Sequence, residues 1–384
     1  MRLLGVAREG INIFCGLMDM SQGLAKSTYD QIVKHLYTAS KTMFESVCKK
    51  AVDEEKELNI QNERPADRLK VSGDGSWKKR GYTSLYGVTT LIGYFSGKVV
   101  DLDVKSGYCH TCAIKKNTLD DDEFENWYES HKENCSSNHA GSAGKMEVDS
   151  IVEMFSRSIE KFGVMYSNYI GDGDTKTFLG ILNSDPYGDE CTVTKNECVG
   201  HVQKRMGTRL RTKRKDEQLG GKKRLTEALI KKLTIYYGLA IRRNLNSVED
   251  MRNAIMATLD HYCSTDKLPR HGKCPEGVES WCEWRKAEAT NTLAAFKHPP
   301  RVIDEHVEKH IRPIYEDLSK DDLLTRCLGG HTQNANESFN STVWRIVPKH
   351  LNSGIKIVEI AAYIAGGMFN EGYSAVLKTM QLLD

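Results

Sequence analysis

Apolar residues at Ile32, Val33, Leu36, Tyr37, Met43, Phe44, Val47 and Val52 recur at the three-to-four-residue spacing of one helical face. Residues 27–58 therefore read as one long amphipathic helix, with Ser27 as N-cap and Asp30 three residues on. The polar stretch 59–67, which holds Pro65, ends it, and the texture then changes. Residues 69–72, 84–95 and 99–104 are alternating or β-branched, and Ser96-Gly97 makes a tight turn between the last two. Three consecutive antiparallel strands are predicted. An amphipathic helix over 150–162, stopped by Gly163, leads to a strand over 164–170, a short helix over 175–182 and a strand around 191–194. The order βββ-α-β-α-β calls for an α/β fold, a mixed sheet with helices on its faces. Residues 225–311 read as mostly helical, interrupted near Pro269 and Pro299. A last helical region begins near His331, breaks at Pro348 and resumes over 355–370. The longest apolar run, 360–369, is about half of the roughly 20 residues a membrane span needs, so no membrane partner is expected. Residues 11–20 carry Asn12 and Asp19 and lead to no small-residue cleavage site, which argues against secretion.

The 384 residues hold 54 Lys and Arg against 52 Asp and Glu, and 39% are hydrophobic, which is lean but enough for a real core. The near-balance of charge hides a local excess. Between Lys204 and Lys232, twelve Lys and Arg face only Asp216, Glu217 and Glu227. The run Lys204, Arg205, Arg209, Arg211, Lys213, Arg214, Lys215 suits phosphate backbones, which cations grip without reading bases. A solvated helix face is the plainer alternative.

Eleven cysteines, several grouped with histidines, point to metal ligands and buried thiols in a reducing compartment rather than to a disulfide framework. Cys109-x2-Cys112, followed after 22 residues by Cys135-x3-His139, has the knuckle spacing of a structural Zn2+ site. His110 and His131 are substitute ligands. The surrounding stretch, 107–145, is acidic and rich in Gly and Ser and reads as an inserted loop that burial alone could hardly order. A second set, His261, His271, Cys274 and Cys282, has looser spacing, with Cys263 as alternative fourth ligand and Trp281 and Trp284 able to pack that loop without metal. Cys198-x2-His201 offers two ligands, too few for a zinc site.

Asp74, in Gly73-Asp74-Gly75-Ser76-Trp77, is expected directly after the first strand, and Asp172, in Gly171-Asp172-Gly173-Asp174, directly after the fourth. Asp-Gly is also a common turn pair. The flanking glycines would let the chain turn and a bulky anion approach closely. Two neighbouring carboxylates repel unless a divalent cation sits between them, and a third from a packed helix would complete a two-metal site for phosphoryl transfer. Asp174 rivals Asp172, or caps the next helix.

These segments, with Cys198-Val199-Gly200-His201, Gln203-Lys204-Arg205 and Asn334-Ala335-Asn336-Glu337-Ser338 in the same order, resemble the Mutator-like DDE transposases over most of the chain. The resemblance implies a ribonuclease H-like core at 66–204 with the zinc loop at about 107–145. It also implies an N-terminal helical segment at 1–65, a helical insertion at 205–330, and a C-terminal part at 331–384 bearing the catalytic glutamate. It makes Asp74, Asp172 and Glu337 the catalytic triad using Mg2+ or Mn2+, and Cys198 and His201 a structural or DNA-positioning signature. It further implies DNA as partner, nuclear localisation, and a homodimer or higher oligomer on DNA. A domesticated or truncated DNA-binding derivative and a ribonuclease H-like nuclease are the competing expectations.

Overall fold

The computed structural model describes residues 8–20, 23–79, 84–172, 175–221, 224–299 and 303–383. The chain divides into one unit made of residues 1–194 with 333–384 and another made of residues 195–332.

The first unit begins with α1 (Arg8–Leu17), which buries none of its residues, and α2 (Lys26–Gln61), whose Met43, Phe44, Val47, Cys48, Ala51 and Val52 form a buried stripe. Next come β1 (Arg68–Trp77), β2 (Tyr86–Gly93) and β3 (Val99–Ser106), paired antiparallel in sequence order. β1 runs five residues past the expected end at Ser72, so Asp74 lies inside the strand and not at its tip. The cross-strand register accounts for this, since Asp74 pairs with Thr90 and Trp77 with Gly87. The stretch expected to be a loop holds two helices, α3 (His110–Lys116) and α4 (Asp121–His131). Asp120 caps α4 by accepting from Glu123 N at 2.8 Å, and Asp121, Asp122 and Glu123 complement the positive end of its dipole. Residues 143–171 form α5 (Ala143–Ser156), α6 (Ser158–Phe162) and β4 (Met165–Gly171). Gly163 closes α6 in the left-handed region, φ +62°, that favours glycine. α7 (Thr175–Ser184) follows, and the chain then passes from the first unit into the second within β5 (Thr194–Glu197), which starts about three residues later than expected.

The second unit is helical: α8 (Val199–Asp216), α9 (Glu227–Arg242), α10 (Val248–Cys263), α11 (Glu283–Ala289), α12 (Glu305–Asp317) and α13 (Asp321–Cys327). Its core includes Met206, Leu210, Tyr237, Ile241, Ile255 and Tyr315. The chain re-enters the first unit with α14 (Asn334–Ile346), α15 (Ile355–Glu371) and α16 (Ser374–Gln381). α15 crosses α2 at close range, because a Cβ on Gly366 would lie 2.3 Å from the Phe44 ring and one on Gly367 2.7 Å from Met43. Among the described residues, no helix is long and apolar enough to cross a membrane.

The sheet is mixed and five-stranded, in the order β3-β2-β1-β4-β5, with β1 and β4 parallel. Residues paired across strands point to the same face. Ser72, Asp74, Thr90 and Leu102 therefore share one face, where Asn336 of α14 hydrogen-bonds to Ser72 and Thr90. Val71, Gly73, Leu91 and Asp101 share the other, where α5 packs. There Asp101 is fully buried but bonded by Arg157 at 2.9 Å and Lys161 at 2.8 Å. A buried carboxylate stripped of such partners costs about 3–5 kcal/mol.

Candidate active site and metal clusters

α14 lies along β1 through a ladder of side-chain hydrogen bonds. Gln333 Nε2 donates to Gly73 O at 2.6 Å, and Asn336 Nδ2 donates to Ser72 O at 3.1 Å while its Oδ1 accepts from Ser72 Oγ at 2.8 Å. One turn on, Asn340 Nδ2 donates to Asp74 Oδ2 at 2.8 Å, and Trp344 Nε1 donates to Ser76 Oγ at 2.7 Å. Residues three and four apart share a helix face. Glu337, four after Gln333 and three before Asn340, is thus on the face turned to β1, at its exposed rim. The asparagines around Glu337 are poor helix formers that already mark a polar surface in the sequence. The roles of Gln333 and Trp344 were missed, although both sit on the same three-and-four spacing.

The parallel pairing places the two aspartates. Ser72 stands opposite Ile170. The register ends two residues short of Asp74 on β1 and of Asp172 on the other strand, and Asp172 directly follows β4. Asp74 is half-buried and Asp172 exposed. Asp174 lies outside the described residues. The three carboxylates do not form a group with every ligand atom within 4.8 Å of the others. Among the described residues, Asn340 Oδ1, on the amide bonded to Asp74, and Gln333 Oε1, on the amide bonded to Gly73, are buried without a hydrogen-bond partner. Carboxylate oxygens with unsatisfied amide oxygens next to them are donors that fit a hard divalent cation. The glycines act otherwise than expected. A Cβ on Gly73 would lie 2.5 Å from the Tyr169 ring, and one on Gly75 2.7 Å from Glu147 Oε2, so both make room for packing on the opposite face and not for an approaching anion.

Cys109, Cys112, His131 and Cys135 bring one ligand atom each within 4.8 Å of the others. Cys109 Sγ is 3.3 Å from His131 Nε2, and Cys112 Sγ is 3.5 Å from Cys135 Sγ. A tetrahedral Zn2+ with Zn–S of about 2.3 Å and Zn–N of about 2.0 Å has ligand–ligand edges of roughly 3.5–3.8 Å, close to these. The expected fourth ligand, His139, is not in the group. Its backbone N–H bonds to Ser106 O, its Nε2 lies 3.3 Å from Ser142 O, and its Nδ1 lies 3.3 Å from Asp149. Asn138 and His139 are pinned to the end of β3, which carries the histidine away from the knuckle. His131 instead ends α4, its ring stacked on Trp127 at 4.5 Å, and this Trp-x3-His pair is the signal that spacing between cysteines concealed. Burial opposes ionisation of Cys109, but the backbone N–H of Cys112 and the His131 side chain outweigh it and bring the thiol down to about 6. Burial and the neighbouring Cys135 push Cys112 up to about 12.

His261, His271, Cys274 and Cys282 form the second group, and all but His261 are buried. His271 Nδ1 lies 3.3 Å from Cys282 Sγ and 3.8 Å from Cys274 Sγ, and His261 Nδ1 lies 3.9 Å from Cys274 Sγ. The other nitrogen of His271, Nε2, is 2.8 Å from Ser264 Oγ, and Trp284 stacks on the ring at 5.0 Å. A partner on the far nitrogen fixes tautomer and orientation in the manner of a metal-ligating imidazole. Cys274 shares its proton with Cys282, so the Cys282 thiol is held well below its ordinary value and that of Cys274 above it. Cys263 is buried outside this group. His110 of the first module is likewise outside its ligand set, near Tyr108 Oη at 3.2 Å.

Cys198 is the N-cap residue of α8, and His201 sits in the first turn; neither joins a group of three ligands. The basic run meets more carboxylates than its sequence neighbourhood shows. Arg205 pairs with the buried Glu197, Arg209 with Asp317, and Lys213 with Glu217 at 2.9 Å. Glu227 takes both Arg211, at 2.7 Å, and Arg214, at 3.3 Å. Lys204 and the four arginines all lie on α8. Arg205 serves the fold of its own unit, whereas Arg209, Arg211 and Arg214 are paired at an accessible surface where a phosphate could exchange for the carboxylate.

No curated protein and no solved structure matches the chain. Residues 1–282 match the model of the Mutator-like transposase family. The matched stretch takes in Asp74, Asp172, both Cys/His groups and α8, and it ends before Glu337. It spans well over half of the chain, and the protein belongs to the Mutator-like transposase family.

Proposed function

We propose that the chain is the catalytic region of a DDE-type transposase, with Asp74, Asp172 and Glu337 as its carboxylate triad. The observations that carry this reading are the parallel register of β1 and β4, in which Ser72 stands opposite Ile170 two residues before each aspartate, and the bond to Asp74 from Asn340 of α14, the helix that bears Glu337. Three antiparallel strands followed by β4, which lies parallel to β1 at the centre of the sheet, support a ribonuclease H-like core. A Mg2+ or Mn2+ ion held by the triad would supply charge neutralisation at the scissile phosphate. Asn340 orients the Asp74 carboxylate by donating to its Oδ2. Glu337, on a helix bonded to β1 at four positions, is held in place by the same ladder.

In the cleavage step a water oxygen bonds to phosphorus and the 3′ oxygen of the transposon end leaves, with protons exchanged with solvent. In the transfer step that 3′ hydroxyl bonds to a target phosphorus and displaces a target 3′ oxygen. The thiol and imidazole groups suit Zn2+ in both Cys/His clusters, which staple loops and take no part in chemistry. Arg209, Arg211 and Arg214 contribute nonspecific grip on DNA. Action on chromosomal DNA places the protein in the nucleus, and joining two ends calls for at least two copies. The test is strand cleavage and transfer on DNA carrying candidate ends. Wild type should require Mg2+ or Mn2+, and Glu337→Gln should lose at least about a hundredfold in rate with its fold intact. Unchanged transfer by Glu337→Gln would overturn the triad.

A further inference from the structure

A cavity of about 620 Å³ opens in the second unit between α9, α10 and the loop 264–282. Its size falls in the range of small-ligand sites, roughly 300–1,000 Å³. Three properties of its walls limit what it can hold. The first is flat aromatic surface. Tyr236 and Tyr262 stack at 6.3 Å and 21°, His261 and Trp281 meet edge-on at 5.0 Å, and Trp281 remains 45% exposed. The second is uncompensated positive charge. Arg243 and Lys273 line the cavity and pair with no carboxylate among the described residues, whereas the cations of α8 are almost all paired. The third is a set of amide edges. Asn244 spends its Nδ2 on Ala240 O at 2.7 Å and keeps its Oδ1, and Asn253 lies beside it. Asp250 is the one carboxylate of the lining.

We infer that this cavity binds an unpaired nucleobase with its attached phosphate, the base stacking on Trp281 and the tyrosines and the phosphate meeting Arg243 and Lys273. An apolar ligand would leave the two cations and the amides unused, and an acidic peptide would leave the aromatic faces unused. Paired bases cannot enter, because their faces are covered in the duplex. Stacking on aromatic residues tolerates any base, so the site selects unpaired over paired nucleic acid and not one sequence over another. The second Cys/His cluster builds part of the wall. Lys273 and Pro275 flank Cys274, Trp281 precedes Cys282, and His261 belongs to both cluster and cavity. A metal there would hold the recognition loop in place.

The shared chemistry could come from a single strand or from a free nucleotide. The test uses the full chain, without Mg2+ or Mn2+ and without cleavage, so that it does not depend on the carboxylates. The ligands are a 12-nucleotide single strand bearing one 2-aminopurine, its perfect duplex, and dAMP. Wild type should quench the 2-aminopurine. Trp281→Ala should lose the quenching and bind the single strand about tenfold or more weakly, with duplex affinity unchanged. Arg243→Gln, at the C-terminal end of α9 and not part of the loop, should weaken the single strand several-fold and so separates ligand contact from misfolding. Displacement of the strand by dAMP at an equal concentration would assign the site to free nucleotides, and displacement only at a large excess would assign it to strands. Absence of quenching with wild type, or single-strand affinity unchanged in both variants, would overturn the inference.

Discussion

The Cys/His clusters and the carboxylate face are prepared for cations in opposite ways. In each cluster four ligand atoms already lie within 4.8 Å of one another, while Asp74, Asp172 and Glu337 do not form such a group. The difference follows from charge. Thiols, and imidazoles that carry a single ring proton, are neutral and can share protons, as Cys274 and Cys282 do, so they pack together before any ion arrives. Two carboxylates 4 Å apart repel by about 4 kcal/mol at an effective dielectric constant of 20, so on the proposed reading the three acids would come together only around a cation. The two clusters also differ from each other. The second is buried and its His271 is held from behind by Ser264, whereas the first is mostly half-exposed and leans on the Trp127 stack.

The largest effect should come from emptying the buried cluster. Structural Zn2+ in small domains is worth an apparent 10–16 kcal/mol or so, far more than any hydrogen bond of the loop it ties. Cys282→Ser should remove one metal equivalent and abolish or sharply lower the unfolding transition of residues 195–332 in calorimetry. Cys112→Ser should remove one equivalent while the sheet, whose core lies elsewhere, still melts cooperatively. Equal damage from both would break the contrast between a buried and a half-exposed cluster. Next in size, His131→Ala should weaken metal at the first cluster by at least tenfold in a chelator competition, and His139→Ala should leave it nearly unchanged. Asn340→Ala should lower strand cleavage about 10- to 100-fold with the protein folded, since it frees the Asp74 carboxylate to rotate. The smallest effect concerns α8. Neutralising Arg209, Arg211 and Arg214 should reduce the slope of log affinity against log salt on duplex DNA by less than roughly 0.9 per residue, because each begins in an ion pair.

What the sequence could show divides along the same physical lines. Periodicity exposed α2, the hairpin at Ser96-Gly97 and the succession of strands and helices along the chain, because each depends on neighbours within about ten positions. It could not show that β1 continues through Gly73-Asp74-Gly75, a segment that reads as a turn until Tyr169 and Ile151 are known to fill the space beside Gly73. The four ligands of the second cluster lie close enough in sequence for their spacing to single them out. His139 was the wrong partner for the first because Ser106 anchors it, a contact made across more than thirty residues. The charge on α8 looked unopposed because Asp317, which binds Arg209, lies 108 positions away. Contacts of that range leave no trace in local composition.

The central claim is that Asp74 holds a catalytic cation, and a metal switch tests it most directly. A thiolate is a poor ligand for Mg2+ and a better one for softer divalent ions. Strand cleavage by Asp74→Cys should therefore be lost in Mg2+ and at least partly restored in Mn2+, with both Cys/His clusters still loaded. Cleavage by Asp74→Cys in Mg2+ at the wild-type rate would contradict the account.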